Sequence, residues 1–202
     1  MQIDPKNEQT QLIYADVLHA RGQVREAIQK LESYYLDPAS KPTVATPLAL
    51  ADLYRMNNDF DKAGQWLSQA VLLSPDNVGI FNVRLRLLAS QKQYDEIIQQ
   101  LITYGQRYPK DAQMMMTVAS ILISAEAEDH IRRLKPLLDQ FITANPDRLE
   151  GYMGLAMITY ASGDRETALR AYRRILELDP FHQQALNNLA WILGVEMKKA
   201  EE

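Results

Sequence analysis

The chain contains no cysteine. That excludes disulfides and thiolate metal sites but leaves the compartment open, because a cysteine-free chain suits cytoplasm and bacterial periplasm alike. Glycine is sparse, with 8 in 202 residues, while Ala, Leu, Gln and Glu abound, a balance that favours helix throughout. Basic residues are not in excess. The formal charge is −4, so the electrostatic footprint that nucleic-acid binding needs is missing. No run approaches the ~20 apolar residues of a membrane-spanning helix. The opening Met1-Gln2-Ile3-Asp4-Pro5 lacks the basic and then apolar segment of a secretory signal. His19, His130 and His182 never pair at the i, i+3 or i, i+4 spacing that sets two ligands on one helical face. No GxSxG, Gly-Lys-Ser/Thr loop or HExxH occurs. These absences predict no catalytic site, cofactor or metal in this segment, no contact with nucleic acid and no direct membrane insertion.

What is present is a recurring proline. Pro38, Pro75, Pro109, Pro146 and Pro180 follow one another at spacings of 37, 34, 37 and 34 residues. Each closes a helix-like run, and a period near 34 with two helical stretches per period marks a stacked helical array. The clearest unit runs from Leu149 to His182. Its first stretch carries Tyr152, Leu155, Ala156 and Tyr160, and Ser162-Gly163-Asp164 makes a turn. The second carries Ala168, Leu169, Tyr172, Ile175 and Leu176 and ends at Leu178-Asp179-Pro180. Spacings of three and four put these apolar residues on one helical face.

This pattern resembles the tetratricopeptide repeat (TPR) family, whose positions match Tyr152, Leu155, Ala156, Gly163-Asp164, Ala168, Tyr172 and Pro180. The unit 44–77 matches through Leu50, Ala51, Tyr54, Asn58-Asp59-Phe60, Ala63, Ala70 and Pro75. The unit 8–38 matches through Ala15, Leu18, Gly22, Ala27, Leu31 and Tyr34, and a longer connection, Asp37 to Pro42, follows it. Two middle units depart. In 78–111, Leu85 and Ile97 replace small residues and Arg84 replaces a core Leu, which predicts looser or differently angled packing. In 112–148, Ala125 to His130 is expected to insert residues in place of the glycine turn. The prediction is a single array over 1–202 with repeats 8–38, 44–77, 78–111, 112–148, 149–182 and a partial one at 183–202. Eleven helices are expected in an all-α solenoid of about five TPR repeats plus one extra helix. The resemblance further implies a right-handed superhelix with first helices lining a concave groove. Pro5 lies 33 residues before Pro38, and Lys198 to Glu202 falls where another second helix would begin, so both ends read as cuts in a longer array.

Counted in family register, the groove positions include Asp16, Asp52, Arg55, Asn82 and Arg86, then Met116, Met153, Met157, Tyr160, Asn187, Asn188 and Trp191. The first half is charged and the second apolar. Of these, Asp52, Arg55, Asn82, Arg86, Met116, Met153, Met157, Tyr160, Asn187 and Trp191 are the expected partner-binding residues. In the run Met114-Met115-Met116 some side chains must point away from the core. Trp191 and Met157 are expected to anchor a partner helix or extended peptide. The competing expectation is that stacking buries some of these side chains against a neighbouring repeat. Arg132-Arg133-Lys135 and Arg170, Arg173 and Arg174 read as solvated second-helix faces paired with nearby acids. His130 beside Glu126, Glu128 and Asp129 reads as an acidic turn rather than a cation site. A carboxylate clamp of the chaperone-adaptor type is disfavoured, because Leu12, Asp16, Ala49, Gly79 and Val83 occupy its positions.

The function this implies is a non-catalytic protein-interaction scaffold that binds a peptide or helix in its groove. Two alternatives stand beside it. One is the organising segment of a bacterial envelope or polysaccharide-export assembly, the other the substrate-recruiting repeats of a larger enzyme such as a glycosyltransferase. The segment 185–191 resembles those of bacterial TPR proteins, which favours the envelope alternative slightly. The terminal helix, with Leu186, Leu189, Ile192, Leu193 and Val195, is apolar enough to pair with a second copy.

Overall fold

The computed structural model describes the backbone of residues 7–201 and the side chains of residues 7–194. The expectations at residues 1–5, and that for the Val195 side chain, lie outside the described residues. Within them the chain is all helix: α1 (Glu8–Ala20), α2 (Val24–Leu36), α3 (Ala45–Met56), α4 (Phe60–Leu73), α5 (Val78–Ser90), α6 (Tyr94–Arg107), α7 (Gln113–Ser124), α8 (Glu128–Ala144), α9 (Leu149–Ala161), α10 (Arg165–Leu178) and α11 (Gln183–Glu201). None is long and apolar enough to cross a membrane. Each recurring proline stands two residues beyond the last residue of a second helix, as at Leu36 and Pro38 or Leu178 and Pro180. Proline disfavours helical backbone in the residue before it, so each second helix stops there.

The five turns from first to second helix share one geometry. Gly22, Asn58, Lys92, Glu126 and Gly163 have φ of 77°, 60°, 57°, 53° and 82°. The N–H of each bonds the carbonyl three residues back, and the next N–H reaches five back, as in Gln23 to Leu18 (2.9 Å) and Ala127 to Leu122 (3.0 Å). This motif satisfies carbonyls a helix end leaves open. Asp59 and Asp164 then cap the second helices by accepting from the N–H groups of Lys62 (3.2 Å) and Thr167 (3.1 Å).

The expected insertion at Ala125 to His130 is therefore corrected. That turn matches the others, with Glu126 taking the left-handed conformation, and the additional residues lie in the second helix. α8 has 17 residues where α4, α6 and α10 have 14. It carries Pro136 in its interior, which removes one intrahelical hydrogen bond. α9 accommodates α8 with two glycines. A Cβ on Gly151 would stand 2.9 Å from the Phe141 ring and 3.0 Å from Ile142, and one on Gly154 would stand 2.9 Å from Leu138. A second difference concerns α11. Where another second helix was expected near Lys198, α11 continues to Glu201.

The chain packs as two compact units, one ending at Gln93 and the other beginning at Tyr94. In the first, α3 packs against α1, α2, α4 and α5, around a core that includes Leu31, Leu50, Ala51, Ala63 and Ala70, all fully buried. The longer connection after α2 is held by α1: the Glu8 carboxylate accepts from the Thr43 N–H (2.8 Å), the Thr46 N–H (3.3 Å) and the Thr46 hydroxyl (2.6 Å). Val44, which precedes α3, offers no side-chain cap, so Glu8 supplies one from 35 residues away. In the second unit α9 packs against α7, α8 and α10, and α10 against α11. Ala156, Ala168 and Ile175 are fully buried there. Leu85 and Ile97, at positions where small residues were expected, are also fully buried, and Arg84 is half-buried.

Candidate functional site

The shared turn supplies a register for the first helices. Six residues before the positive-φ residue stand Asp16, Asp52 and Arg86 in the first unit and Ser120 and Met157 in the second. Trp191 continues the series 34 residues after Met157. Three residues before the turn stand His19, Arg55 and Ala89, then Ile123 and Tyr160. The repeat thus places equivalent side chains in rows. Apart from Ala89 the rows are polar in the first unit, and apart from Ser120 they are apolar or aromatic in the second.

In the first unit the structure brings Asp52, Arg55 and Arg86 together. Asp52 on α3 accepts from Arg55 Nε at 2.8 Å, and from Arg86 on α5 through Nε and Nη2, both at 3.2 Å. Arg55 also donates to the Ser90 hydroxyl (3.2 Å), which in turn donates to the Arg86 carbonyl (3.0 Å). Burial alone would push the Asp52 carboxyl up. The two guanidiniums outweigh it and hold the group below its ordinary value of 3.8. Asn82 lies half-buried one turn before Arg86, and Asp16 is exposed on α1. One carboxylate between two arginines leaves a net positive charge and unspent N–H donors, a surface suited to polar contacts.

In the second unit Met157, Tyr160 and Trp191 line one pocket of about 220 Å³ with Ile123, Tyr172 and Asn188. Tyr160 and Trp191 meet edge to face, with ring centroids 6.0 Å apart at 81°, a favoured aromatic geometry. Asn188 donates to the Tyr172 hydroxyl at 3.0 Å, and burial keeps that hydroxyl above its ordinary range against this opposing bond. Trp191 is 61% exposed. Met116 is half-buried and, like Met157 and Tyr160, packs against the core of the unit. Asn187 is exposed on α11.

Met153 departs from its expected place: it is 2% exposed and belongs to the core. A helix packed on three sides has no single apolar stripe, and α9 buries Gly151, Met153, Gly154, Ala156, Ile158 and Thr159. Met114 and Met115 are likewise buried, so the methionine run offers only Met116 to the surface. Ile123 and Asn188 complete the pocket. Ile123 could have been found by counting back from Glu126, once that turn was recognised as ordinary.

Of the second-helix cations Arg132, Arg133, Lys135, Arg170, Arg173 and Arg174, five pair with acids, four of them on their own helix. Arg132 bonds Asp129, Arg133 bonds Asp95, and Lys135 meets Asp139 at 2.8 Å. Arg170 bonds Glu166, and Arg174 meets Glu177 at 2.8 Å. Exposed pairs of this kind contribute little. His130 lies 3.5 Å from Asp95, not against the acids of its own turn. Among the described residues no group of three or more His, Asp or Glu is placed to hold a metal. α11 leaves Leu186 and Leu193 exposed at 42% and 36%, while Ile192 is buried at 4%.

Comparison with known proteins matches this geometry to a family. Two tetratricopeptide-repeat models match, one over residues 153–193 and the other over 48–77. Nothing among curated proteins matches the chain. Among solved structures, a tetratricopeptide repeat protein from Parabacteroides merdae ATCC 43184 superposes with a TM-score of 0.56 at 13% identity, covering 96% of this chain and 75% of that one. MamA residues 41 to the end from Desulfovibrio magneticus RS-1 superposes with a TM-score of 0.52 at 14% identity, covering 88% of this chain and 99% of that one. The fold class is an all-α solenoid.

Proposed function

The chain belongs to the tetratricopeptide-repeat family, and on that premise we propose that it is a non-catalytic scaffold that captures a segment of another protein on its first helices. The carrying observation is the pocket of Met157, Tyr160, Ile123 and Trp191, where an indole stands 61% exposed beside an uncharged apolar recess. An exposed Trp beside a recess gains apolar burial when a partner side chain covers it, which suits it to anchor one. The bound segment is a helix or extended peptide that sets an apolar side chain against Trp191. Met116 and Asn187 lie on the same helices as further contacts. In the first unit, Asp52, Arg55, Asn82 and Arg86 offer a separate polar surface for contacts.

The test is a cross-linked pull-down from source-cell lysate with the chain as bait, set beside the same chain carrying Met157→Glu and Trp191→Glu. Helicity of the variant is checked first by circular dichroism. A protein captured by the wild type and lost by the variant supports the reading. A protein retained by both places the contact elsewhere and overturns it.

A further inference from the structure

The recess beside Trp191 has a polar side that the reading above does not use. It holds about 220 Å³, less than drug-sized pockets span, and suits a single side chain. Met157, Ile123, Tyr160 and Trp191 make most of its wall apolar or aromatic, and Tyr172 and Asn188 also line it. Those two are joined, since Asn188 Nδ2 donates to the Tyr172 hydroxyl at 3.0 Å. A bond between two wall residues sets one polar spot in an otherwise apolar recess.

Packing does not account for that spot. Nine residues after its positive-φ turn residue, each of α2, α4 and α6 buries a leucine: Leu31, Leu67 and Leu101. α10 puts Tyr172 there, 3% exposed. Burying a hydroxyl costs free energy that one hydrogen bond offsets only in part, and leucine fills the place without that cost. Asn188 departs in the same way. It stands three residues before Trp191, in a row held elsewhere by Ile13, Ala49, Val83, Thr117 and Gly154. Two departures from the repeat thus meet at one point, on the packed helices α10 and α11.

What the pair leaves unspent defines its complement. The Tyr172 oxygen accepts from Asn188, so its own proton finds no acceptor among the described residues, and Asn188 Oδ1 receives no donor there. Turning the amide over exchanges the two roles and leaves the same count, one donor and one acceptor. Burial, helped by Tyr160 nearby, keeps the Tyr172 proton in place against the opposing Asn188 bond. A hydroxyl answers both groups, because it accepts one bond and donates another. The edge-to-face rings of Tyr160 and Trp191 favour an aromatic body behind it. Phenylalanine would leave donor and acceptor both unmet, and an indole N–H would leave the donor unmet. A carboxylate would bring charge into an apolar wall.

We propose that the recess takes the side chain of a tyrosine in the captured segment, and that Tyr172 and Asn188 select it over phenylalanine. This rests on the capture of a segment beside Trp191 and names the residue that enters.

The 202-residue chain, labelled with nitrogen-15, is titrated with N-acetyl-tyrosinamide and, separately, with N-acetyl-phenylalaninamide, uncharged stand-ins for the two residues within a peptide. The indole N–H resonance of Trp191 reports binding and is identified by its loss in Trp191→Phe. That of Trp66, in the first unit, is the reference. The tyrosine amide is expected to move the Trp191 resonance with a dissociation constant on the order of millimolar, roughly tenfold lower than that of the phenylalanine amide. Trp66 should not move. Tyr172→Phe and Asn188→Ala, each checked for retained helicity by circular dichroism, should bring the two amides to within about twofold, chiefly by weakening the tyrosine amide. Equal affinities of the wild type for the two amides overturn the selection while leaving capture beside Trp191 standing. A preference that persists in both variants also overturns it, because other groups then make the distinction. A Trp191 resonance that neither amide moves overturns it as well, and the pull-down with Met157→Glu and Trp191→Glu decides separately whether a segment binds there.

Discussion

Glu8 is the side chain whose removal tests the packing argument most directly. Its carboxylate accepts three hydrogen bonds from the start of α3: the Thr46 hydroxyl at 2.6 Å, the Thr43 N–H at 2.8 Å and the Thr46 N–H at 3.3 Å. The last is long and counts for little. Hydrogen bonds to a charged group contribute roughly 1.5–3 kcal/mol each, and a helix cap about 0.5–2, without adding in full. Thr46 is completely buried, so Glu8→Ala also leaves its hydroxyl unpartnered there. The expected loss is about 2–3 kcal/mol from the first unit. Glu8→Gln keeps an acceptor oxygen and should lose only about 1 kcal/mol.

Trp66 and Trp191 fall in different units, so with Trp191→Phe as background, Trp66 fluorescence during urea unfolding reports the first unit alone. With a urea slope of about 2 kcal/mol per molar, the Glu8→Ala midpoint moves down by roughly 1–1.5 M. Thr46→Val provides the internal control, because without the hydroxyl the Glu8→Ala loss shrinks. The pH dependence follows in sign. Burial pushes the Glu8 carboxyl up, but its bonds from Thr46 and Thr43 prevail and lower it below the ordinary 4.5. Its contribution is therefore full above that value and fades as pH falls through the folded one, so wild type and Glu8→Ala converge in acid. A Glu8→Ala midpoint within about 0.25 M of wild type at pH 7, equivalent to ~0.5 kcal/mol, would refute the capping role.

Three other outcomes are expected. Lys92→Gly and Glu126→Gly should each stabilise by about 0.5–1 kcal/mol, because both residues hold left-handed backbone that glycine adopts freely; thermal melts check this, and a loss would mean the side chains themselves support the turn. Gly151→Ala gains about 1 kcal/mol of helix propensity, yet forces Phe141 and Ile142 aside at an overpacking cost of about 1–3; urea melts followed by far-ultraviolet circular dichroism should show net destabilisation of about 1 kcal/mol. Asp52→Ala leaves Arg55 and Arg86 without their shared carboxylate, so about 1 kcal/mol is lost at low salt and less at 0.5 M salt.

How far the sequence could be read depended on which residues carry their own backbone signal. Proline states its effect locally, so every second-helix end was legible from Pro38, Pro75, Pro109, Pro146 and Pro180. Glycine does the same at Gly22 and Gly163, but Lys92 and Glu126 reach the same conformation with no such mark. Missing Glu126 as a turn residue moved three added residues into the wrong element, when they lengthen α8. The same omission hid Ile123, which sits three residues before that turn as Tyr160 does before Gly163. The placement of side chains along the first helices was legible where register alone decides it, as at Asp52, Arg55 and Arg86, and at Met157 and Trp191. It failed at Met153, because periodicity identifies a face only on a helix with one buried side, and α9 is packed on three. Glu8 was beyond reach on other grounds, since its partners lie 35 and 38 residues away and no local pattern joins them. What stays hidden in such an array is thus the contact that crosses between repeats.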